Sequence, residues 1–140
     1  MVLLEKYTYD QPGFQPLILT SKWQVAQLNY DTAQAPANLH KMDRHLQTDE
    51  AFVLLAGQGV LIVGEERDGL FSFQTTVMIP GEIYNVPRQV WHNIALAPGA
   101  RVLIIEDRDT HVGDFEFLPL DPAAYEKLQQ QLKEHLPTNG

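Results

Sequence analysis

The chain has 140 residues, 44% of them hydrophobic and 20% charged, a balance ordinary for a soluble globular protein. One domain of this length buries about 68–70% of its unfolded surface. Ten Lys and Arg against 18 Asp and Glu leave a net charge of −8 with histidines neutral, which repels nucleic-acid phosphates and anionic membranes, while the lack of cysteine excludes disulfides, thiolate metal sites and cysteine nucleophiles.

The start, Met1-Val2-Leu3-Leu4-Glu5, is too short and too soon charged for a signal h-region. No apolar run approaches the roughly 18–20 residues that span a bilayer. The expectation is a cytoplasmic protein with no membrane or nucleic-acid partner. With no internal repeat, linker or low-complexity tract, residues 1–140 read as one domain.

Residues 16–20 and 23–28 read as strands, the second with alternation around Trp23 and Val25 that buries one face. Residues 31–38 are loop-like. Residues 51–55 and 60–63 flank Ala56-Gly57-Gln58-Gly59, read as a hairpin turn. Glu65 to Gly69 reads as a solvated polar turn. Strands over 71–79, 83–86, 91–96 and 101–106 follow, broken by Pro80-Gly81 and Pro98-Gly99. Turn signals every ~8–12 residues predict an all-β sandwich or barrel.

One helix is predicted, over 121–135. Asp121 caps it, Pro122 suits its first turn, and Tyr125, Leu128, Leu132 and Leu136 recur at helical spacing. Its polar face of Gln, Lys and Glu places it on the outside of the β body. Residues 136–140 are expected to end it and fray.

Two blocks about 40 residues apart carry the chemistry: Asp43-Arg44-His45-x4-Glu50-x6-Gly57 and Gly81-x5-Pro87-x4-His92. If 41–46 is extended, Asp43 and His45 share a face, and Glu50 opens the returning strand with Phe52 and Leu54 on its own face. His92 can reach the same interior from a neighbouring strand. His45, Glu50 and His92 form a facial ligand set for Fe, Mn, Ni or Zn, with positions open for substrate or water. Asp43 either completes the sphere, orients a ligand histidine or acts as a base; a salt bridge to Lys41 or Arg44 is the plainer reading.

Tyr84 either packs or presents its hydroxyl to a substrate. Trp91, whose parity opposes His92, packs. Arg101 and Glu106 lie on opposite faces of the last strand; Glu106, if inward, is an acid or base candidate with a raised pKa. His40, His111 and His135 read as bystanders, His135 favourably placed at a helix C-terminus.

These blocks resemble the two signature motifs of the cupin family. His45, Glu50, Gly57, Gly81, Pro87 and His92 fall at matching positions. Asp43 stands where the first histidine is expected, and Gln89 where a glycine is common. The resemblance implies an antiparallel β-barrel or jelly roll with motif 1 near 40–57 and motif 2 near 81–96. It also implies a divalent-metal site inside the barrel, acting on a small sugar or organic acid. The alternative is a non-catalytic small-molecule pocket without metal, and a lesser one is a structural or storage relic. A homodimer is expected, paired through the N-terminal strands and the apolar stripe of the C-terminal helix.

Overall fold

The computed structural model describes residues 1–136, so the expected fraying beyond Leu136 lies outside the described residues. The strands are β1 (Gly13–Leu19), β2 (Trp23–Asn29), β3 (Lys41–Arg44), β4 (Glu50–Ala56) and β5 (Gly59–Arg67), then β6 (Leu70–Val77), β7 (Ile83–Val86), β8 (Trp91–Leu96), β9 (Arg101–Asp107) and β10 (Glu116–Pro119). Helix α1 (Thr110–Gly113) is a single turn, and α2 (Pro122–Lys133) is the one substantial helix. Two five-stranded antiparallel sheets result: sheet I, ordered β1-β2-β9-β4-β7, and sheet II, ordered β10-β3-β8-β5-β6.

This topology corrects two expected hairpins. β4 pairs with β7 and β9 in sheet I, whereas β5 pairs with β6 and β8 in sheet II. The 56–59 turn therefore carries the chain between sheets. Gly57 makes the crossing possible: its φ is +80°, and a Cβ there would sit 2.6 Å from the Ala100 Cα. The 46–49 turn likewise takes the chain from β3 in sheet II to β4 in sheet I. Local patterning shows a turn between two strands but not which neighbours those strands choose.

The polar turn expected at 65–69 shrinks to Asp68-Gly69, both at positive φ, because the β5–β6 ladder continues to the Arg67↔Leu70 pair. Residues 31–38, read as loop, form two 3₁₀ turns. Neither α1 nor β10 was expected. The alternation of Phe115-Glu116-Phe117-Leu118 was the available signal for β10, a short edge strand that tolerates Pro119.

Side-chain alternation along β5 shows how the core divides. Leu61 points between the sheets and packs with Leu28, Phe52, Leu54, Ile94 and Ile104. Val60 and Ile62 point outward yet are fully buried, because α2 lays Leu128 and Leu132 over that face of sheet II. Asp121 caps α2 by accepting from the Ala124 N–H at 2.8 Å. The helix ends at Lys133, short of the expected 135, so His135 lies just past its last turn. Each such buried aliphatic side chain stabilises the fold by roughly 1.5–3 kcal/mol before its entropy cost.

Candidate metal centre and ligand cavity

The interior face of both sheets contributes to one polar cluster. Asp43 on β3 and His92 on β8 are cross-strand partners in sheet II. Glu50 begins β4 and Glu106 nears the end of β9, both in sheet I. His45 lies one residue past β3, where the chain crosses between sheets. His92 Nε2 is 3.1 Å from Glu50 Oε1, and His45 Nε2 is 3.4 Å from Glu50 Oε2 and 3.8 Å from Glu106 Oε2. One ligand atom from each of His45, Glu50 and His92 falls within a 4.8 Å group.

Both imidazoles are pinned from behind. His45 Nδ1 donates to the Asp114 carbonyl at 2.6 Å, and His92 Nδ1 donates to the Val90 carbonyl at 3.0 Å. A carbonyl only accepts, so each Nδ1 carries its hydrogen and each Nε2 is the atom presented to Glu50. Either protons on the Nε2 atoms or a cation shared by the three side chains satisfies this arrangement. The donor set, two imidazoles and a carboxylate, fits a divalent transition ion.

Charge is distributed unequally over the carboxyls. Burial pushes Glu106 up to about 9, and the neighbouring Glu50 charge pushes it the same way. Burial opposes ionisation of Glu50 too, but hydrogen bonds from His45 and His92 outweigh it and hold Glu50 at about 2. Burial disfavours a charged His45, yet Glu50, the Asp114 carbonyl and Glu106 raise it to about 9. Burial also raises Asp43, against the pull of His92 and Lys41.

The cluster opens into a cavity of about 190 Å³ whose apolar wall is Phe14, Leu28, Phe52, Ile94 and Ile104. Two larger grooves, of about 240 and 590 Å³, contain no histidine.

No protein-family description and no curated protein matches this chain. Solved structures do. A cupin-2 domain protein from Shewanella frigidimarina is 21% identical, with a TM-score of 0.50 over 71% of this chain and 85% of that one. The chain has the cupin fold. Streptomyces PAC13, solved as a variant with uridine, superposes with a TM-score of 0.57 at 10% identity, over 84% of this chain and 94% of its own. The capsular polysaccharide assembling protein CapF of Staphylococcus aureus matches at 21% identity and TM-score 0.55 over 81% of this chain; the match spans 34% of CapF.

Asp43, read in the sequence as standing where a first motif histidine is expected, lines the cavity and faces His92, not in a salt bridge with Arg44. Arg44 instead pairs with Glu116 at 3.0 Å and lies over the outward-facing Trp91. Gln89, where the sequence resemblance expects a glycine, has φ +72°, the left-handed conformation glycine adopts freely. Its N–H donates to the His45 carbonyl at 2.6 Å and ties the second motif to the first.

Tyr84 is placed apart from the cluster. Its ring packs at the edge of the core, while its hydroxyl accepts from the Ile79 N–H at 2.8 Å and donates to Glu82 at 3.3 Å. The 79–84 turn occupies the hydroxyl that sequence alone offered to a substrate. Arg101 points outward to Asp10, at 2.9 Å, which leaves Glu106 as the inward member of that pair. His40 stacks on Tyr125, 4.6 Å between ring centroids.

Four residues escaped sequence reasoning, Gln34 of the cavity lining among them. His111, read as a bystander, lines the cavity beside Phe14. Gln24, fully buried, donates to Glu106 Oε1 at 3.2 Å and lies 3.1 Å from His111 Nδ1. The Asp114 carboxylate accepts from the Leu46 and Gln47 N–H groups at 2.8 and 2.9 Å, which sets the crossing that carries His45. Only the parity of Gln24 with Ala26 and Leu28 hinted at any of these.

Proposed function

We propose that this protein is a cupin that holds one divalent transition metal through His45, Glu50 and His92 and acts on a small sugar or organic acid in the adjoining cavity. The observation that carries the reading is the convergence of three ligand atoms whose imidazoles are both oriented by backbone carbonyls. Such an ion, when bound, polarises a substrate oxygen or lowers the pKa of a water. Glu106, pushed up by burial and by the Glu50 charge, is the candidate acid; Asp43, across from His92, is the second candidate for moving a proton. Tyr84 contributes packing. Solved neighbours carrying uridine, or the inhibitor 3-isopropenyl-tropolone in CapF, support a small-molecule ligand.

The test is metal content by inductively coupled plasma mass spectrometry, after reconstitution with Fe(II), Mn(II), Ni(II) and Zn(II). Near-stoichiometric metal that is lost in His45→Ala/His92→Ala is expected. A metal-free result with every ion overturns the metalloenzyme. It would favour a non-catalytic pocket, which the self-sufficient ion pairs of protonated His45 with Glu50 also permit.

We infer a homodimer, but through a different surface from the helix stripe. Leu128 and Leu132 are spent on sheet II and cannot pair across an axis. The outer face of sheet I bears Val25, Val53, Ile83, Leu103 and Ile105 in adjoining register, with Ile83 76% exposed. A second copy covering that face would bury an apolar patch that single chains rarely expose.

A further inference from the structure

We propose that the cavity selects an uncharged, polyhydroxylated ligand of monosaccharide size and discriminates against the acid of the same skeleton. The inference rests on reading this cavity as the ligand site, and narrows its substrate class.

Three buried acceptor oxygens have no hydrogen-bond partner among the described residues: Gln34 Oε1, Asp43 Oδ1 and Glu106 Oε2. All three side chains line this one cavity. An unmade bond at a buried polar atom is costly, so a ligand that supplies hydrogens there gains more than one that supplies further acceptors. Glu106 is 5% exposed, which leaves a molecule in the cavity as the available partner.

Charge points the same way. Asp43, Glu50 and Glu106 are in the lining, and no Lys or Arg is. The nearest cations are turned outward: Lys41 Nζ sits 3.6 Å over the Phe117 ring, and Arg44 is held by Glu116. His45 and His92 are committed to Glu50. A carboxylate in the cavity would meet the unpaired Gln34, Asp43 and Glu106 oxygens and find no Lys or Arg to offset its charge. A hydroxyl both donates and accepts, so it satisfies these oxygens whether or not a carboxyl carries a proton. An ion on His45, Glu50 and His92 adds positive charge at one end and leaves the Gln34 and Asp43 oxygens unmet.

Size and wall complete the argument. About 190 Å³ lies below the roughly 300–1,000 Å³ that holds drug-sized ligands. Phe14, Phe52 and Ile104 offer an apolar surface to the C–H face of a sugar ring.

The experiment is calorimetric titration of metal-loaded and metal-stripped protein with matched pairs: D-galactose and D-galacturonate, D-glucose and D-glucuronate, D-ribose and D-ribonate. The neutral member of at least one pair is expected to bind about tenfold or more tightly than its acid. Gln34→Leu should weaken that neutral sugar about tenfold with the thermal midpoint unchanged. Asp43→Asn, which keeps an acceptor and removes a charge, should narrow the preference over the acid. Acids binding as tightly as neutral sugars, no member of any pair binding, or a folded Gln34→Leu that binds normally would each overturn the proposal. Metal with acid preference overturns this inference and spares the metal site; neutral preference without metal does the reverse.

Discussion

His92 Nε2 in sheet II lies 3.1 Å from Glu50 Oε1 in sheet I, so these two side chains meet across the interior of the roll. Glu50 is the bridge, since its other oxygen faces His45. Removing its charge therefore unsettles both imidazoles at once. Glu50→Gln is expected to abolish metal uptake and to bring the His45 titration down from about 9, which an NMR titration of the imidazole protons would read.

The same cluster sets the pH dependence of the metal-free protein. Glu50, held at about 2 against an ordinary 4.5, contributes stability that is present above 4.5 and lost as pH falls through 2. His45 is raised from 6.5 to about 9; its contribution is full below 6.5 and lost as pH rises through 9. Glu106 is raised from 4.5 to about 9, so its contribution declines over that interval. Urea unfolding should show greatest stability near pH 4.5, with a fall on both sides that steepens above 6.5. Glu106→Gln should flatten the alkaline limb and leave the acid one; an unchanged alkaline limb would refute the burial of a protonated Glu106. Metal uptake should strengthen as pH rises, because ligation displaces protons.

Asp114 holds the crossing that carries His45. Asp114→Ala removes two hydrogen bonds to the crossing, costing about 1–3 kcal/mol, and loosens the segment that carries His45, while the Asp114 carbonyl that accepts from the ring stays. Metal affinity should fall about 10–100-fold while the circular dichroism of the sheets persists. Wild-type affinity in this variant would mean that the Asp114 side chain does not position the ligand.

Backbone strain separates two turn positions. Gly57→Ala places a Cβ against Ala100 and should destabilise by roughly 2–4 kcal/mol. Gln89→Gly relieves a left-handed residue, a gain of about 1–2 kcal/mol partly offset by the added freedom of the unfolded chain. A small rise in the urea midpoint is expected for Gln89→Gly, and a fall would show that the Gln89 side chain matters more than its φ.

The apolar outer face of sheet I predicts the oligomeric state. Light scattering on sized fractions should give a dimer, and Ile83→Asp/Ile105→Asp should give a folded monomer. A wild-type monomer would refute the pairing.

The sequence by itself determined the all-β class, most strand positions, the capped helix and the identity of the three candidate ligands. These depend on local terms: alternation, turn residues and the Asp121-Pro122 start, each acting over a few residues. It did not determine that 46–49 and 56–59 cross between sheets, because a turn looks the same whether its strands pair or part. It left His111, Gln24 and Asp114 out of the site, since only packing of β2, α1 and the 113–115 segment against β9 and the crossing brings them near. It offered the Tyr84 hydroxyl to a substrate, and a neighbouring turn took it. The burial that pushes Glu106 and Glu50 in opposite directions likewise arises only when two sheets close over both, because desolvation and proximity are properties of the assembled interior and not of any segment.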